Sequence, residues 1–159
     1  MKISTILIPL DGSALAEAAL VPAVDLARDY QAKLVLVRAA EAHGFPMADP
    51  TAAQVDAVRA AEEYLAGVHA RLTAAGLADV ETAVWYGPPA EAIVEAARYR
   101  VADRIVLSCH GRTGLGRLVR GSVAESVLRG TETPIFLVRP GHALGDTPFV
   151  PALAEPANV

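Results

Sequence analysis

Residues 3–10, with the sequence ISTILIPL, are the stretch that decides the fold class of this 159-residue chain. The run is rich in β-branched and apolar residues and lacks a regular polar alternation, which is typical of a strand buried on both faces. Residues 33–39 (KLVLVRA) and 104–109 (RIVLSC) have the same character. These three runs indicate the interior strands of a parallel sheet.

Helical segments alternate with the strands along the chain. Ala, Leu and Glu are frequent in residues 13–30, 51–75 and 90–100. Pro22 falls inside the first of these segments and is expected to bend or divide it. Two further strands are predicted at residues 80–86 and 134–138. The alternation predicts an α/β fold, a single doubly wound sheet of five parallel strands with helices on both faces.

Composition excludes several classes of protein. With 53% hydrophobic and 20% charged positions, the chain has the size and apolar content of one compact domain. A net charge of -4 disfavours a nucleic-acid partner. No apolar run approaches the ~18 residues of a membrane span, and no secretory signal is evident. The single cysteine, Cys109, permits no internal disulfide, so we expect a cytoplasmic protein without a membrane partner.

The chain is expected to divide into a domain and a tail. Residues 1–140 carry the alternating strands and helices. The last 20 residues contain four of the chain's 11 prolines and show no periodicity. We therefore predict that residues 141–159 form a Pro-rich C-terminal tail without regular structure.

Residues 108–122 (SCHGRTGLGRLVRGS) follow the fourth predicted strand and precede a helix, the position where α/β sheets hold ligands. Glycines let backbone N–H groups approach an anion closely, and the helix dipole adds positive charge, so the segment predicts a phosphate-binding loop. Residues 111–116 have the glycine spacing of a P-loop, but Arg117 and Leu118 stand where Lys and Ser or Thr belong. No third glycine follows at the dinucleotide spacing. A P-loop NTPase and a Rossmann dehydrogenase are therefore disfavoured.

These residues could also have purely structural roles, and those alternatives stay open. Ser122 and Glu125 have the spacing of a capping box, which is compatible with a phosphate contact by the same hydroxyl. The loop glycines could be turn residues, and Asp11 could serve an Asp-Gly turn or a helix dipole. His110 has no cluster of ligands at metal spacing beside it, and Cys109 is interpreted as a buried thiol at a strand end.

The loop resembles that of the universal stress protein family, in its ATP-binding branch. Gly111, the nine residues that follow it, and the pair Gly121 and Ser122 match the family motif, and the next Val-Ala-Glu is also typical. Ser108 replaces the first glycine of the motif. The likeness extends to residues 6–13 (ILIPLDGS), to residues 87–93 (GPPAEAI) and to the last strand.

The resemblance implies a strand order of 3-2-1-4-5, in which Asp11 and the glycine loop face one crevice. It implies ATP and Mg²⁺ as ligands, with Asp11 at the ribose or at the metal, and backbone contacts of Pro9 and Ala39 with the nucleoside. The nucleotide-binding residues it implies are Pro9, Leu10, Asp11, Ala39, Ser108, His110, Gly111, Arg112, Thr113, Gly114, Gly121, Ser122 and Val123.

The function implied is that of an ATP-binding regulatory module that responds to stress through a protein partner not named by the sequence. The alternatives are a slow ATPase or phosphotransferase using Asp11, and a stress protein that acts only through protein contacts. No water-positioning base is evident near the loop, which favours binding over catalysis.

The last strand is expected to form a homodimer. In the implied order it lies at the sheet edge, where Ile135–Val138 would expose unpaired backbone groups beside apolar side chains. Two copies could pair these strands antiparallel about a two-fold axis. The alternative is that residues 141–159 fold back over the edge within one chain.

Overall fold

Five parallel strands form the centre of the molecule. The computed structural model of the chain describes residues 2–41, 50–109 and 123–139. The strands are β1 Thr5–Pro9, β2 Lys33–Ala40, β3 Val80–Tyr86, β4 Arg104–Ser108 and β5 Ile135–Val138. Their order in the sheet is β3-β2-β1-β4-β5, and each pairing is parallel. The predicted fold class and strand order are confirmed.

Five helices connect the strands in the described residues. They are α1 Ala14–Glu17, α2 Leu20–Tyr30, α3 Pro50–Ala74, α4 Pro89–Tyr99 and α5 Val123–Gly130. The first predicted helical segment is divided between α1 and α2, as expected, and Pro22 lies in the first turn of α2. A proline is tolerated there because the first N–H groups of a helix have no partner within the helix. In the described residues, no helix has the length and hydropathy needed to cross a bilayer.

Alternating side chains of the central strands supply two separate cores. Ile6 and Ile8 of β1 pack with buried residues of α2 and α3 on one face of the sheet. Leu7, which points to the other face, packs with Ile93 of α4 and Val127 of α5. Because helices cover both faces, the strands are apolar on both sides, and this explains why their sequences lack a polar alternation.

At the end where the strands begin, polar groups bind one another across the sheet. Asp103 Oδ2 accepts hydrogen bonds from the backbone N–H of Ser4 at 2.8 Å and of Thr5 at 3.0 Å. Glu81 forms ion pairs with Lys33 at 2.6 Å and with Arg100 at 2.9 Å. We call this end, defined by Ser4, Thr5, Glu81 and Asp103, the amino edge. Its hydrogen bonds tie β1 to β4 and β2 to β3.

Candidate functional site

A cavity of about 710 Å³ lies at the opposite end of the sheet, where β1, β2 and β4 finish. The strand order reverses there, since β1 leads to β2 on one side and has β4 on the other. In α/β proteins, the connections that follow two neighbouring strands run in opposite directions at such a point. A crevice forms between them, outside the carboxyl ends of the strands. We call this end, defined by Asp11, Arg38 and Ser108, the carboxyl edge.

The cavity has an apolar wall and a polar wall. Val37 of β2, Ile93 of α4 and Leu107 of β4 give an apolar surface on the face of the sheet that α4 and α5 cover. The polar groups come from Asp11, Arg38, Glu41 and Ser108. An apolar slot with a few convergent polar groups is the usual form of a small-molecule site.

Asp11 forms a turn between β1 and α1. Its Oδ1 accepts hydrogen bonds from the Ser13 N–H at 2.8 Å and from the Ser13 hydroxyl at 2.6 Å. The same Ser13 oxygen accepts the Ala16 N–H at 3.1 Å and so caps α1. Gly12 between them has φ +91°, a left-handed conformation that glycine adopts without strain. The turn fixes the Asp11 carboxylate at the cavity and engages one of its two oxygens.

Ser108, the last residue of β4, places its hydroxyl in the cavity wall. The residue is 7% exposed. Its Oγ is buried and has no hydrogen-bond partner among the residues that the structure describes. Burying a hydroxyl without a partner is unfavourable, so a polar ligand atom in the cavity would satisfy it. The next residue, Cys109, also lines the cavity, and its thiol lies 3.5 Å from the backbone oxygen of Val138 in β5.

A buried carboxylate lies behind the polar wall. Glu17 of α1 is 5% exposed, and its Oε1 accepts hydrogen bonds from the Tyr64 hydroxyl at 2.9 Å and from Arg71 Nη2 at 2.8 Å. Burial, together with the hydrogen bond to Glu17, raises the pKa of the Tyr64 phenol above its ordinary value. Tyr64 therefore stays protonated and donates at neutral pH, and α1 is tied to α3.

The structure brings part of the predicted site together. The predicted site residues that line the cavity are Pro9, Leu10, Asp11, Ala39, Ser108 and Val123. The others lie outside the described residues, and they are His110, Gly111, Arg112, Thr113, Gly114, Gly121 and Ser122. Sequence reasoning missed Arg38, Glu41 and the apolar wall. The signal for Arg38 was a charge inside an otherwise apolar strand.

The described cavity wall is better suited to a metal ion bound together with a ligand than to a metal ion coordinated by protein side chains alone. In residues 2–41, 50–109 and 123–139, no group of three or more His, Cys, Asp or Glu is placed to hold a metal ion. Mg²⁺ commonly binds through one or two carboxylates together with substrate phosphates. Asp11, the predicted metal ligand, provides such a carboxylate.

Comparison with known proteins agrees with the fold. The model of the universal stress protein family matches residues 2–139. A protein of Staphylococcus aureus (strain USA300) that is assigned to the universal stress proteins is 33% identical over 152 residues, which covers 94% of this chain and 90% of the relative.

Two solved structures extend this similarity to three dimensions. The universal stress protein UspA from Lactobacillus plantarum superposes with a TM-score of 0.69 and 26% identity, over 87% of this chain and 99% of that one. A universal stress protein crystallised in complex with cAMP also has a TM-score of 0.69 and 26% identity, over 87% of this chain and 98% of that one. The family model covers most of the sequence, and the chain therefore belongs to the universal stress protein family.

Proposed function

We propose that this chain binds an adenine nucleotide, ATP with Mg²⁺, in the cavity at the carboxyl edge, and that it acts as a nucleotide-dependent regulatory module. The observation that carries the proposal is the buried Ser108 hydroxyl, which has no partner in the described residues, in a cavity of about 710 Å³ at the point where the strand order reverses. A universal stress protein that is 26% identical binds cAMP, which supports an adenine nucleotide as the ligand class.

The two walls suit the two ends of a nucleotide. Val37, Ile93 and Leu107 offer an apolar surface for a base. Val123, at the start of α5, also lines the cavity, so the positive end of that helix dipole faces the space where phosphates would lie. Mg²⁺ would neutralise phosphate charge and take Asp11 as its protein ligand.

Binding is better supported than turnover. The titratable groups of the described cavity wall are Asp11, Arg38, Glu41 and Cys109. One Asp11 oxygen is engaged by Ser13 and the carboxylate is assigned to Mg²⁺, Cys109 contacts Val138, and Glu41 is exposed, so none of them is held in place as a base for water. A regulatory module needs only that the bound nucleotide changes what a protein partner contacts. Phosphate release at the ~1–100 s⁻¹ of kinases would contradict this proposal and favour an enzyme.

The proposed assembly is a homodimer through β5. In the described residues β5 pairs only with β4, and Phe136 and Leu137 are 48% and 43% exposed. An apolar edge strand needs a cover, and a second copy can supply one by antiparallel pairing. Light scattering should give twice the mass of the chain. A monomer that becomes a dimer when residues 141–159 are deleted would show that the tail covers the edge instead.

The ligand is identified most directly from the purified protein. We expect mass spectrometry of small molecules released by denaturation to show an adenine nucleotide. Calorimetry should then show tighter binding of ATP with Mg²⁺ than of adenosine, because phosphates add contacts with the loop and the α5 dipole. Equal affinities for ATP and adenosine would overturn the phosphate-binding part of the proposal.

Loop glycines give a matched test of the same proposal. Gly111→Val or Gly121→Val should weaken ATP binding by more than about tenfold, since a side chain would hold phosphate away from the backbone. Gly67→Val is the control, because Gly67 lies in α3 and a Cβ there would have no atom within 4 Å. An equal loss in the control would mean that the glycine effect is not specific to the site.

A further inference from the structure

Arg38 lines the cavity, but the proposed nucleotide site gives no role to its positive charge. Arg38 lies in β2 between Val37 and Ala39, both of which line the cavity as it does. It is the one basic side chain of the described cavity wall, whereas Asp11 and Glu41 contribute two carboxylates. The described wall would therefore repel an anionic ligand without Arg38.

The guanidinium of Arg38 is held on one face. Its Cζ lies 4.8 Å from the centre of the Tyr64 ring, a cation–π contact. A Cβ at Gly12 would lie 3.2 Å from Nη1 and 3.3 Å from Nη2, so both terminal nitrogens lie beside the turn that carries Asp11. A guanidinium stacked by its face keeps the N–H groups in its plane for hydrogen bonds.

The ring that holds Arg38 is itself fixed. The Tyr64 hydroxyl donates to Glu17, which also accepts from Arg71, and Glu17 is buried. Arg71 supplies the counter-charge of Glu17. Within the described parts of the chain, no carboxylate lies at ion-pair distance from Arg38. The Arg38 charge is thus positioned by packing and not by a carboxylate partner.

We propose that Arg38 is a specificity-determining residue that selects phosphate-bearing nucleotides over the uncharged nucleoside, and that Tyr64 is its positioning residue. This inference rests on the proposed nucleotide site. A guanidinium that has no carboxylate partner among the described residues offsets the repulsion from Asp11 and Glu41, and its N–H groups can donate to phosphate oxygens in a charge-assisted hydrogen bond. An uncharged nucleoside gains neither effect.

The test compares three ligands on the full chain by calorimetry, namely ATP with Mg²⁺, AMP and adenosine. Arg38→Met should weaken the binding of ATP and AMP by about tenfold or more and that of adenosine by less than about twofold. Arg38→Lys keeps the charge and should retain part of the selectivity. The matched control is Arg98→Met, which removes one positive charge from an exposed position near the end of α4 and should leave all three affinities unchanged.

Two variants of Tyr64 separate positioning from folding. Tyr64→Phe keeps the ring under the guanidinium and loses the hydrogen bond to Glu17, whereas Tyr64→Leu loses the ring as well. We expect the ratio of AMP affinity to adenosine affinity to fall more in Tyr64→Leu than in Tyr64→Phe. Added salt should reduce this ratio in the wild type more than in Arg38→Met, because the variant lacks the Arg38 charge that salt screens.

The outcomes are distinct. Wild-type selectivity in Arg38→Met and in Arg38→Lys, with tight nucleotide binding by the wild type, would overturn this inference alone. An equal loss for adenosine and AMP would overturn it too, since Arg38 would then support the cavity without selecting charge. A wild-type protein that binds none of the three ligands would overturn the proposed function, and the inference with it.

Discussion

Polar groups are paired differently at the two ends of the strands, the amino edge and the carboxyl edge. At the amino edge, one Asp103 oxygen accepts two backbone N–H groups, and Glu81 receives both Lys33 and Arg100. At the carboxyl edge, in the described residues, the Ser108 hydroxyl is buried without a partner and Arg38 has no carboxylate at ion-pair distance. Groups at the first edge stabilise the fold, whereas Ser108 and Arg38 at the second have polar groups that are free within the described residues, as the proposed ligand site requires.

The largest expected effect is on stability and concerns Glu17, the buried carboxylate behind the cavity. Glu17→Ala leaves the Tyr64 hydroxyl and Arg71 without their shared acceptor and should lower the free energy of unfolding by about 3 kcal/mol. Urea denaturation measures this loss. Glu17→Gln keeps an acceptor and should lose less. A loss in Glu17→Ala no greater than that in Glu17→Gln would mean that a neutral acceptor at this position contributes little and that the loss comes from the carboxylate charge.

The amino edge should affect stability without affecting the ligand. Asp103→Ala removes the acceptor of the Ser4 and Thr5 N–H groups and should cost about 2 kcal/mol of unfolding free energy. ATP affinity should not change once the protein is folded. Asp79→Ala, at an exposed position near the same edge, is the control and should have little effect. A loss of ATP affinity in Asp103→Ala would break the proposed division between the edges.

At the carboxyl edge, the two measurements should move in opposite directions. Ser108→Ala removes a buried hydroxyl that has no partner in the described residues, so the unfolding free energy of the ligand-free protein should stay the same or rise by about 1 kcal/mol. ATP affinity should fall about fivefold, as expected for one lost hydrogen bond. Ser4→Ala, at the exposed start of the sheet, should change neither quantity. Lower stability with unchanged affinity would assign the hydroxyl to the fold.

The smallest effect concerns the pH dependence of the amino edge. Lys33, through its hydrogen bond and its charge, lowers the pKa of Glu81 below its ordinary value of 4.5. The folded state therefore gains stability above that pH and loses it as the pH falls through the lowered pKa. Glu81→Gln should be slightly less stable than the wild type at pH 7 and equally stable at pH 2–3. Because this pair is largely solvated, the difference should also shrink in high salt. A difference that persists at low pH would indicate a cause other than the charge.

Much of the fold followed from local patterns. Apolar runs located the strands to within a few residues, although β1 begins at Thr5 and not at residue 3. Pro22 correctly indicated that the first helical segment is divided, but the break precedes it at Ala18 and Ala19. The pattern alone could not order the strands, because β1, β2 and β4 have the same predominantly apolar and buried character. The order came from the resemblance to a family.

The site was less accessible to sequence reasoning. Pro9, Leu10 and Asp11 were predicted from the resemblance to the family, and they line the cavity. Glu17 and Arg71, in contrast, are 54 positions apart, and neither has a local signal that would name its partner. Arg38 depends on this same long-range packing through Tyr64. Contacts of this kind are set by how α1 and α3 pack on the sheet, and one sequence does not record them.

The pairing of β1 with β4 also constrains how the chain folds. Asp103 and Thr5, which are bonded to each other, are 98 positions apart, whereas β1 and β2 are joined by a short connection. Long-range parallel pairing must close a large loop before it gains stabilising contacts, so it forms late. During synthesis, β1, β2 and β3 can associate before β4 has left the ribosome. The β4 and α5 parts of the cavity wall are then added after β1 and β2, and until that step the apolar side of β1 needs protection from other chains.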